Sequence, residues 1–507
     1  MKTITKIMSL LLAMLMLTSV VACGGKDTSD PQNNGDVTTA ATTNAAVADT
    51  TAATEATTAA TEATTEAPKY PVLPEKDMQG FEMRFLNYDD SYLTWSINQL
   101  DADTSTGDLL SDAIYERNLR IEETYNCVIS ETLIARPDQS LDGLVASGDV
   151  NAEAVMLYDQ TIAGLYTNGN LLTWDHLNYI DYEQPYWSYD ATQAFNVGGK
   201  VFAATGDFSL SQSTRSFVLM FNKDLYSNLG LKDDLYQLTR DGKWTMEKLV
   251  TIGAAAASDL NGDGVMKAED DRFGSAGAIK LYFGSLVTGA GIKYVERSED
   301  GGLKLATVGN EYAISVMSDI LEKHNSNPNA FVKLASNYNS GGNASTMFRN
   351  GQTLFQGCAM KTVTNYRDME SDFGILPFPK YSEEQESYHA LTSGGAMATL
   401  PVTLKESDFE NVGLILEAMS RDSYESVVPT YKEIALKSKY ARDEGSADML
   451  DIIFNSATYD VGLSLLPGDT YYRYMQIFLD GIDTFASQTK SMESIVNKQL
   501  ERIASKG

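Results

Sequence analysis

From Tyr70 to the C-terminus, short apolar runs alternate with segments of helical period, and this alternation restricts the fold more than any other feature of the chain. Phe81-Glu82-Met83-Arg84-Phe85-Leu86-Asn87 alternates like a strand. Thr106 to Tyr125 then sets Leu109, Leu110, Ala113, Ile114, Arg117, Leu119 and Ile121 at the spacing of one helix. Cys127 to Ser130 reads as a second strand, and Ala154-Val155-Met156-Leu157-Tyr158 as a buried strand running through Asp159 into another helix. Strands that alternate with helices are joined by crossovers, so the sequence predicts parallel βαβ units and an α/β sheet. Ligands of such sheets bind beyond the carboxyl ends of the strands, which points to the loops after Leu86 and Leu157.

A second α/β unit starts at Ser216-Phe217-Val218-Leu219-Met220-Phe221-Asn222, and the small and polar stretch Gly206 to Arg215 before it reads as a crossing between lobes. A return crossing is expected at Ala390-Leu391-Thr392-Ser393-Gly394-Gly395-Ala396, after the strand-like Asp372 to Pro377. Residues 70–212 and 390–427 are expected to form an N-terminal lobe, and residues 213–389 and 428–507 a C-terminal lobe, hinged at the crossings.

Residues 1–22 carry Lys2 and Lys6, an apolar run from Ile7 to Met16 and then small residues, the order of a secretory leader. Leu17-Thr18-Ser19-Val20-Val21-Ala22-Cys23 resembles a bacterial lipobox, which makes Cys23 the expected site of lipidation and of the mature N-terminus. Residues 23–69 are rich in Thr, Ala and Glu and echo themselves at Thr54 to Ala60 and Thr61 to Ala67. So few apolar side chains cannot offset chain entropy, and a disordered tether is expected. Lysine and arginine total 39 against 69 aspartate and glutamate, a net charge of −30, which excludes a nucleic-acid partner for want of a basic footprint. An acidic body is repelled by anionic headgroups, so attachment to the extracellular face of the cell membrane is expected through lipid chains alone. Three cysteines, Cys23, Cys127 and Cys358, cannot build a disulfide scaffold or a four-thiolate zinc site, and the last two are expected as buried free thiols.

Phe221-Asn222-Lys223-Asp224-Leu225 with Gly230-Leu231, followed by Gly242-Lys243-Trp244-Thr245 opening a helix, resembles the extracellular solute-binding proteins of bacterial ABC importers, in their large sugar-binding family. Three further phrases fit in order: Met347 to Phe355, with its helix-to-strand turn; Gly374-Ile375-Leu376-Pro377-Phe378-Pro379, a strand end; and Thr106-Gly107-Asp108 to Arg117-Asn118, the first helix. The resemblance covers roughly residues 79 to 480. It implies a type II periplasmic-binding-protein-like fold in which two α/β lobes close over a ligand, no catalysis, and delivery of a small-molecule carbohydrate, by family analogy an oligosaccharide, to membrane permease subunits; a monomer is expected. Tyr158 stands where well-studied sugar binders carry a Trp.

Asp259-Leu260-Asn261-Gly262-Asp263-Gly264-Val265-Met266-Lys267-Ala268-Glu269-Asp270 resembles the calcium loops of EF-hands and dockerins. Asp259, Asn261, Asp263 and Asp270 stand at positions 1, 3, 5 and 12, Val265 offers its carbonyl at position 7, and Gly264 permits the sharp turn. A structural Ca2+ and a merely acidic turn are the two readings.

A sugar ring presents hydroxyls at its edge and an apolar C–H face, so its site combines carboxylates or amides with flat aromatics. Asp89, Asp90 and Trp95 after the first strand, and Tyr158 with Asp159 after the third, meet that requirement. Asp207 and Phe208 at the first crossing, Arg215 at its end, Lys361 after the strand Thr353 to Ala359, Ser393 and Gly394 at the return crossing, and Tyr431 complete the set. Trp174, Trp187 and Trp244 are assigned to packing. The alternatives are a sensor or adhesin on the same scaffold, or a binder of another polar solute such as a peptide. A glycoside hydrolase would require an acid/base pair of carboxylates, and none can be singled out.

Overall fold

The computed structural model describes residues 69–102, 105–297, 303–332, 341–437, 444–466 and 468–506. The chain divides into Met1–Ala67 and Pro68–Gly507, and the described residues all belong to the second unit. The leader, Cys23 and the tether as far as residue 68 lie outside the described residues.

The first strand, β1 (Phe81–Tyr88), runs parallel to β2 (Cys127–Ile134), with Phe81 opposite Cys127, and parallel to β3 (Ala154–Tyr158). Between β1 and β2 the helix Leu109–Tyr125 starts at Asp108, whose carboxylate accepts the N–H of Ser111, and stops at Asn126 in the left-handed region. Arg117 lies buried on this helix because every edge of its guanidinium finds an acceptor: Phe208 O, Leu100 O, Ser423 Oγ and Asn118 Oδ1. Ala154, Val155, Met156 and Leu157 of β3 are completely buried, as a strand covered on both faces requires. Each large aliphatic side chain of this kind contributes roughly 1.5–3 kcal/mol, and truncating Met156 to alanine would cost about 2–5 kcal/mol. A two-residue β4 (Leu171–Leu172) and a small hairpin, β5 (Asn196–Val197) with β6 (Lys200–Val201), follow.

The chain then passes through Gly206–Arg215, ending in the short helix Ser211–Arg215, into β7 (Phe217–Asn222), every residue of which is buried. Next come the helix Met246–Ala256, capped by the Thr245 hydroxyl, and β8 (Phe273–Gly277). A Cβ on Gly274 would stand 2.5 Å from the backbone of Gly253, so only glycine lets this helix lie so close to β8. Beyond an antiparallel pair, β9 (Val295–Arg297) and β10 (Leu303–Leu305), lie β11 (Thr353–Ala359), β12 (Phe373–Leu376), β13 (Ala390–Thr392), β14 (Ala396–Pro401) and β15 (Ala457–Tyr459).

Two main sheets result, in the orders β2-β1-β3-β14-β4 and β12-β7-β11-β8. The expected parallel pairing holds for β1 with β2 and β3, and for β8 with β11. It fails at β14, which runs antiparallel to β3, and at β7, which runs antiparallel to β11 and β12. The cause is connectivity: β7 and β14 are reached from the crossings and not through a βα unit, so nothing constrains them to the common direction. The crossings lie side by side, joined by an antiparallel bridge between Ser216 and Thr392 whose hydroxyls are 3.0 Å apart. Among the described residues no helix is long and apolar enough to cross a membrane.

Candidate functional site

A cavity of about 470 Å³ opens where the carboxyl ends of β3, β8 and β11 meet the two crossings. Trp95 and Tyr158 stand on the side of the first sheet; Tyr282, Gln356, Ala359 and Thr362 stand on the side of the second, joined by Phe217 and Tyr472. Arg215, Ser393 and Gly394 line it from the crossings. Trp95 is half-buried and lies edge-on to Tyr92 and Tyr158, at centroid distances of 5.5 and 6.3 Å.

One hydrogen-bonded network fixes these groups. The indole Nε1 of Trp95 donates to Gly394 O at 2.9 Å, and Arg215 donates from Nε to Ser393 O at 2.7 Å and from Nη1 to Trp95 O at 3.3 Å. Asp159 takes the N–H of Gly394 on Oδ2 at 2.7 Å and gives its own N–H to Gly395 O at 3.1 Å. Gly394 adopts φ +84°, and a Cβ there would meet Arg215 Nη2 at 2.9 Å. Burial pushes the Asp159 carboxyl up to about 7, against the pull of the Gly394 N–H and the nearby Arg215 charge. Burial likewise lowers Arg215, offset in part by Tyr158 and Asp159.

A second cavity, of about 810 Å³, lies beside the carboxyl end of β1. Asp89, Asp90, Asp101 and Glu131 line it together with Tyr88 and Tyr92, and Lys361 faces it from the short helix after β11. Asp89 is held below the usual carboxylate range by the hydroxyl and N–H of Ser91. Burial raises Glu131, which accepts from Asn87 Nδ2 and the N–H groups of Leu100 and Asp101. Lys361 is lowered by desolvation and by Arg367, with Asp90 opposing.

The remaining expected residues sit elsewhere. Asp159 lines neither cavity; it is completely buried behind the return crossing, because its carboxylate is the acceptor that the turned backbone at Gly394 needs. Phe208 packs beside Trp187 in the core under the first sheet, and Tyr431 beside Phe454 in another core cluster, both almost wholly buried, so neither offers a ring face to a ligand. Asp207 lies at neither cavity, and desolvation pushes it up to about 8. Trp174, Trp187 and Trp244 are buried, Trp244 donating to Pro377 O at 3.0 Å. Cys127 and Cys358 are buried and unbonded to each other, and Cys358 lies in the wall of the smaller cavity.

Sequence reasoning missed Gln160, Tyr282, Ser345, Gln356 and Tyr472 in the smaller cavity. Gln356 carried a signal: it is the one amide in the apolar run Thr353-Leu354-Phe355-Gln356-Gly357-Cys358-Ala359. The amide is held by Tyr366 Oη at 2.6 Å and Ser345 Oγ at 3.2 Å.

The loop 259–270 is folded by its own side chains. Asp259 accepts from the N–H groups of Gly262 and Gly264, Asn261 from Asp263, and Asp263 from Val265, with Gly262 and Gly264 at positive φ. The carboxylate turned into the loop is that of buried Asp271, which accepts from Leu260 and Lys267, while Asp270 is exposed. Lys267 Nζ pairs with Asp263 at 2.8 Å. The turn has the shape of a calcium loop, yet among the described residues no three acidic, histidine or cysteine side chains converge as a metal-binding group.

The sequence matches no protein-family model and no curated protein. Its fold resembles solved structures. A sugar transporter protein from Rhizobium etli in an open conformation aligns over 84% of this chain and 99% of its own, at TM-score 0.53 and 12% identity. A cyclo/maltodextrin-binding protein complexed with maltotetraose aligns over 85% and 98%, at 0.52 and 13%. An ABC substrate-binding protein of Listeria monocytogenes in complex with cycloalternan aligns over 83% and 99%, at 0.50 and 13%. The fold is therefore the two-lobe periplasmic-binding-protein type, mixed α/β in each lobe.

Proposed function

We propose that this chain is the lipid-anchored, extracellular substrate-binding protein of an ABC importer and captures a carbohydrate between two lobes for delivery to permease subunits. The observation that carries the proposal is the cavity of about 470 Å³ bounded by both sheets and both crossings, where Trp95 and Tyr158 offer ring faces and Arg215 and Gln160 offer polar edges. That combination suits a ring with hydroxyls around an apolar face. Solved structures of this fold hold maltotetraose and cycloalternan.

The lobes are taken as residues 70–212 with 390–427 and residues 213–389 with 428–507, in keeping with β14 joining the first sheet after the return crossing. Closure is then a population shift toward the state in which both lobes touch the ligand. Cys23 supplies the anchor, and Cys23→Ser should release the chain from the membrane fraction. The 259–270 loop takes a structural Ca2+, the Lys267 ammonium giving way to it; the metal would neutralise Asp259 and Asp263 and brace the second lobe.

Thermal unfolding of the full chain against mono- and oligosaccharides and short peptides tests the proposal. A ligand at about 100 times its dissociation constant adds roughly 2.7 kcal/mol of stability. A shift with a saccharide that is not consumed is the expected result. A shift with peptides alone would remove the carbohydrate, and cleavage of a saccharide would remove the binding-protein reading.

A further inference from the structure

Among the described residues two arginines are buried, Arg117 and Arg215, and they differ in one respect. Of the half-buried arginines, Arg84 and Arg136 each meet a carboxylate at 2.6 Å, while Arg272 and Arg421 reach water beside a single backbone carbonyl each. Arg117 has no carboxylate but spends all three of its nitrogens on four acceptors. Arg215 is 8% exposed and spends Nε and Nη1 on two backbone carbonyls. Its Nη2 meets no acceptor among the described residues, and no carboxylate lies within ion-pair distance of it there. The side chain lines the smaller cavity, where its Nη2 lies beside Gly394, itself a lining residue.

A buried cation without a counter-ion costs several kcal/mol, and a guanidinium fork recovers that best from a planar, bidentate anion. Asp159 does not serve as that anion. One of its oxygens is committed to Gly394, and desolvation holds its carboxyl at about 7, so near neutral pH it is partly protonated. The net charge of −30 also rules out general attraction for acidic solutes, so selection for an anion has to be local. Around this one cation the walls are aromatic: Trp95, Tyr158, Phe217 and Tyr472 surround it in the same cavity. A flat ring face beside a carboxylate is the complementary shape.

We propose that the ligand of this cavity is an acidic saccharide, an oligosaccharide containing uronic acid, whose ring lies against Trp95 and Tyr158 and whose carboxylate is held by Arg215. This inference rests on the carbohydrate-binding reading and narrows it from sugars in general to those with a carboxylate. The Arg215 guanidinium then both fixes the ligand and, through Ser393 O and Trp95 O, ties it to the crossing between lobes.

The test is calorimetric titration of the full chain at pH 7.5 with matched pairs: di- and trigalacturonate and diglucuronate, each against the neutral galactose or glucose oligomer of the same linkage. At least one uronide should bind about tenfold or more tightly than its neutral partner, and Arg215→Gln should bring that ratio to within about threefold. Arg215→Lys keeps the charge but loses the fork and should retain an intermediate ratio. If either variant fails to fold, the matched pairs on the natural protein decide alone. Neutral oligomers binding as well as or better than the uronides would overturn the acidic ligand and leave the carbohydrate reading standing. Peptides binding where no saccharide does would overturn both, and a protein that binds no member of the panel overturns the uronide proposal.

Discussion

Gly394 donates its N–H to Asp159 Oδ2 at 2.7 Å across 235 residues of sequence. The bond joins the first turn of the helix Asp159–Thr167 to the return crossing, and the same glycine accepts Trp95 Nε1 from the cavity side. The position of a cavity-lining indole therefore depends on a carboxylate that lies outside the cavity.

Asp159 gives that arrangement a pH dependence. Its folded-state value of about 7 lies above the ordinary 3.8, so the native chain holds a proton that the unfolded chain has lost, and stability falls as pH rises through that window. Asp460, at about 6, and Asp207, at about 8, act in the same direction. The lowered carboxylates, such as Asp77, Asp112 and Glu410, act oppositely but are exposed and screened. The melting temperature should be higher at pH 5 than at pH 8. Asp159→Asn should flatten the profile and gain roughly 1–3 kcal/mol at pH 8 in urea unfolding. An unchanged slope in the variant would show that Asp159 is not the source.

Gly394→Ala places a Cβ at positive φ and 2.9 Å from Arg215 Nη2. The expected cost is about 1–3 kcal/mol of stability. A loss of ligand affinity should accompany it, since the guanidinium has to move. A variant of natural stability would mean that the turn relaxes freely.

Phe208 and Trp95 separate core from cavity. Phe208→Ala removes a fully buried ring beside Trp187 and should cost about 3–5 kcal/mol with ligand affinity retained by the folded fraction. Trp95→Ala should do the reverse, lowering affinity about tenfold or more at a smaller cost in stability. Melting curves with and without ligand read both effects in one experiment.

The loop after Ser258 is tested by metal. Calcium should raise the melting temperature of the full chain relative to chelator, and Asp263→Ala should abolish the rise, since Asp263 stands at position 5 and carries the Lys267 ion pair. A rise that survives in Asp263→Ala would sink the assignment.

Several strands were readable where hydrophobic period and turn residues agreed. Ala154–Tyr158, Phe217–Asn222 and the helix Leu109–Tyr125 fall within a few residues of their expected bounds. The directions of β7 and β14 were not readable, because period reports which face is covered and not which way a neighbour runs. Among the site residues, Trp95, Tyr158, Arg215, Ser393 and Gly394 lie at one cavity, and Asp89, Asp90 and Lys361 at the other. Phe208 and Tyr431 misled because an aromatic at a crossing has the same sequence signature whether it faces a cleft or plugs a core. Tyr282 and Gln356 escaped notice because they sit on a helix and a strand interior, where side-chain direction is fixed by tertiary packing alone.

β14 closes the first sheet by pairing with β3, yet it ends only at Pro401 of a 507-residue chain. A growing polypeptide shorter than 396 residues consequently holds β3 with one edge bare, a row of unmatched amides along the apolar sequence Ala154 to Leu157. Such an edge invites pairing with another chain. The N-terminal half cannot mature ahead of the rest, and any truncated product ending inside the second sheet should be sticky, a natural client for holding chaperones until the last fifth of the molecule emerges.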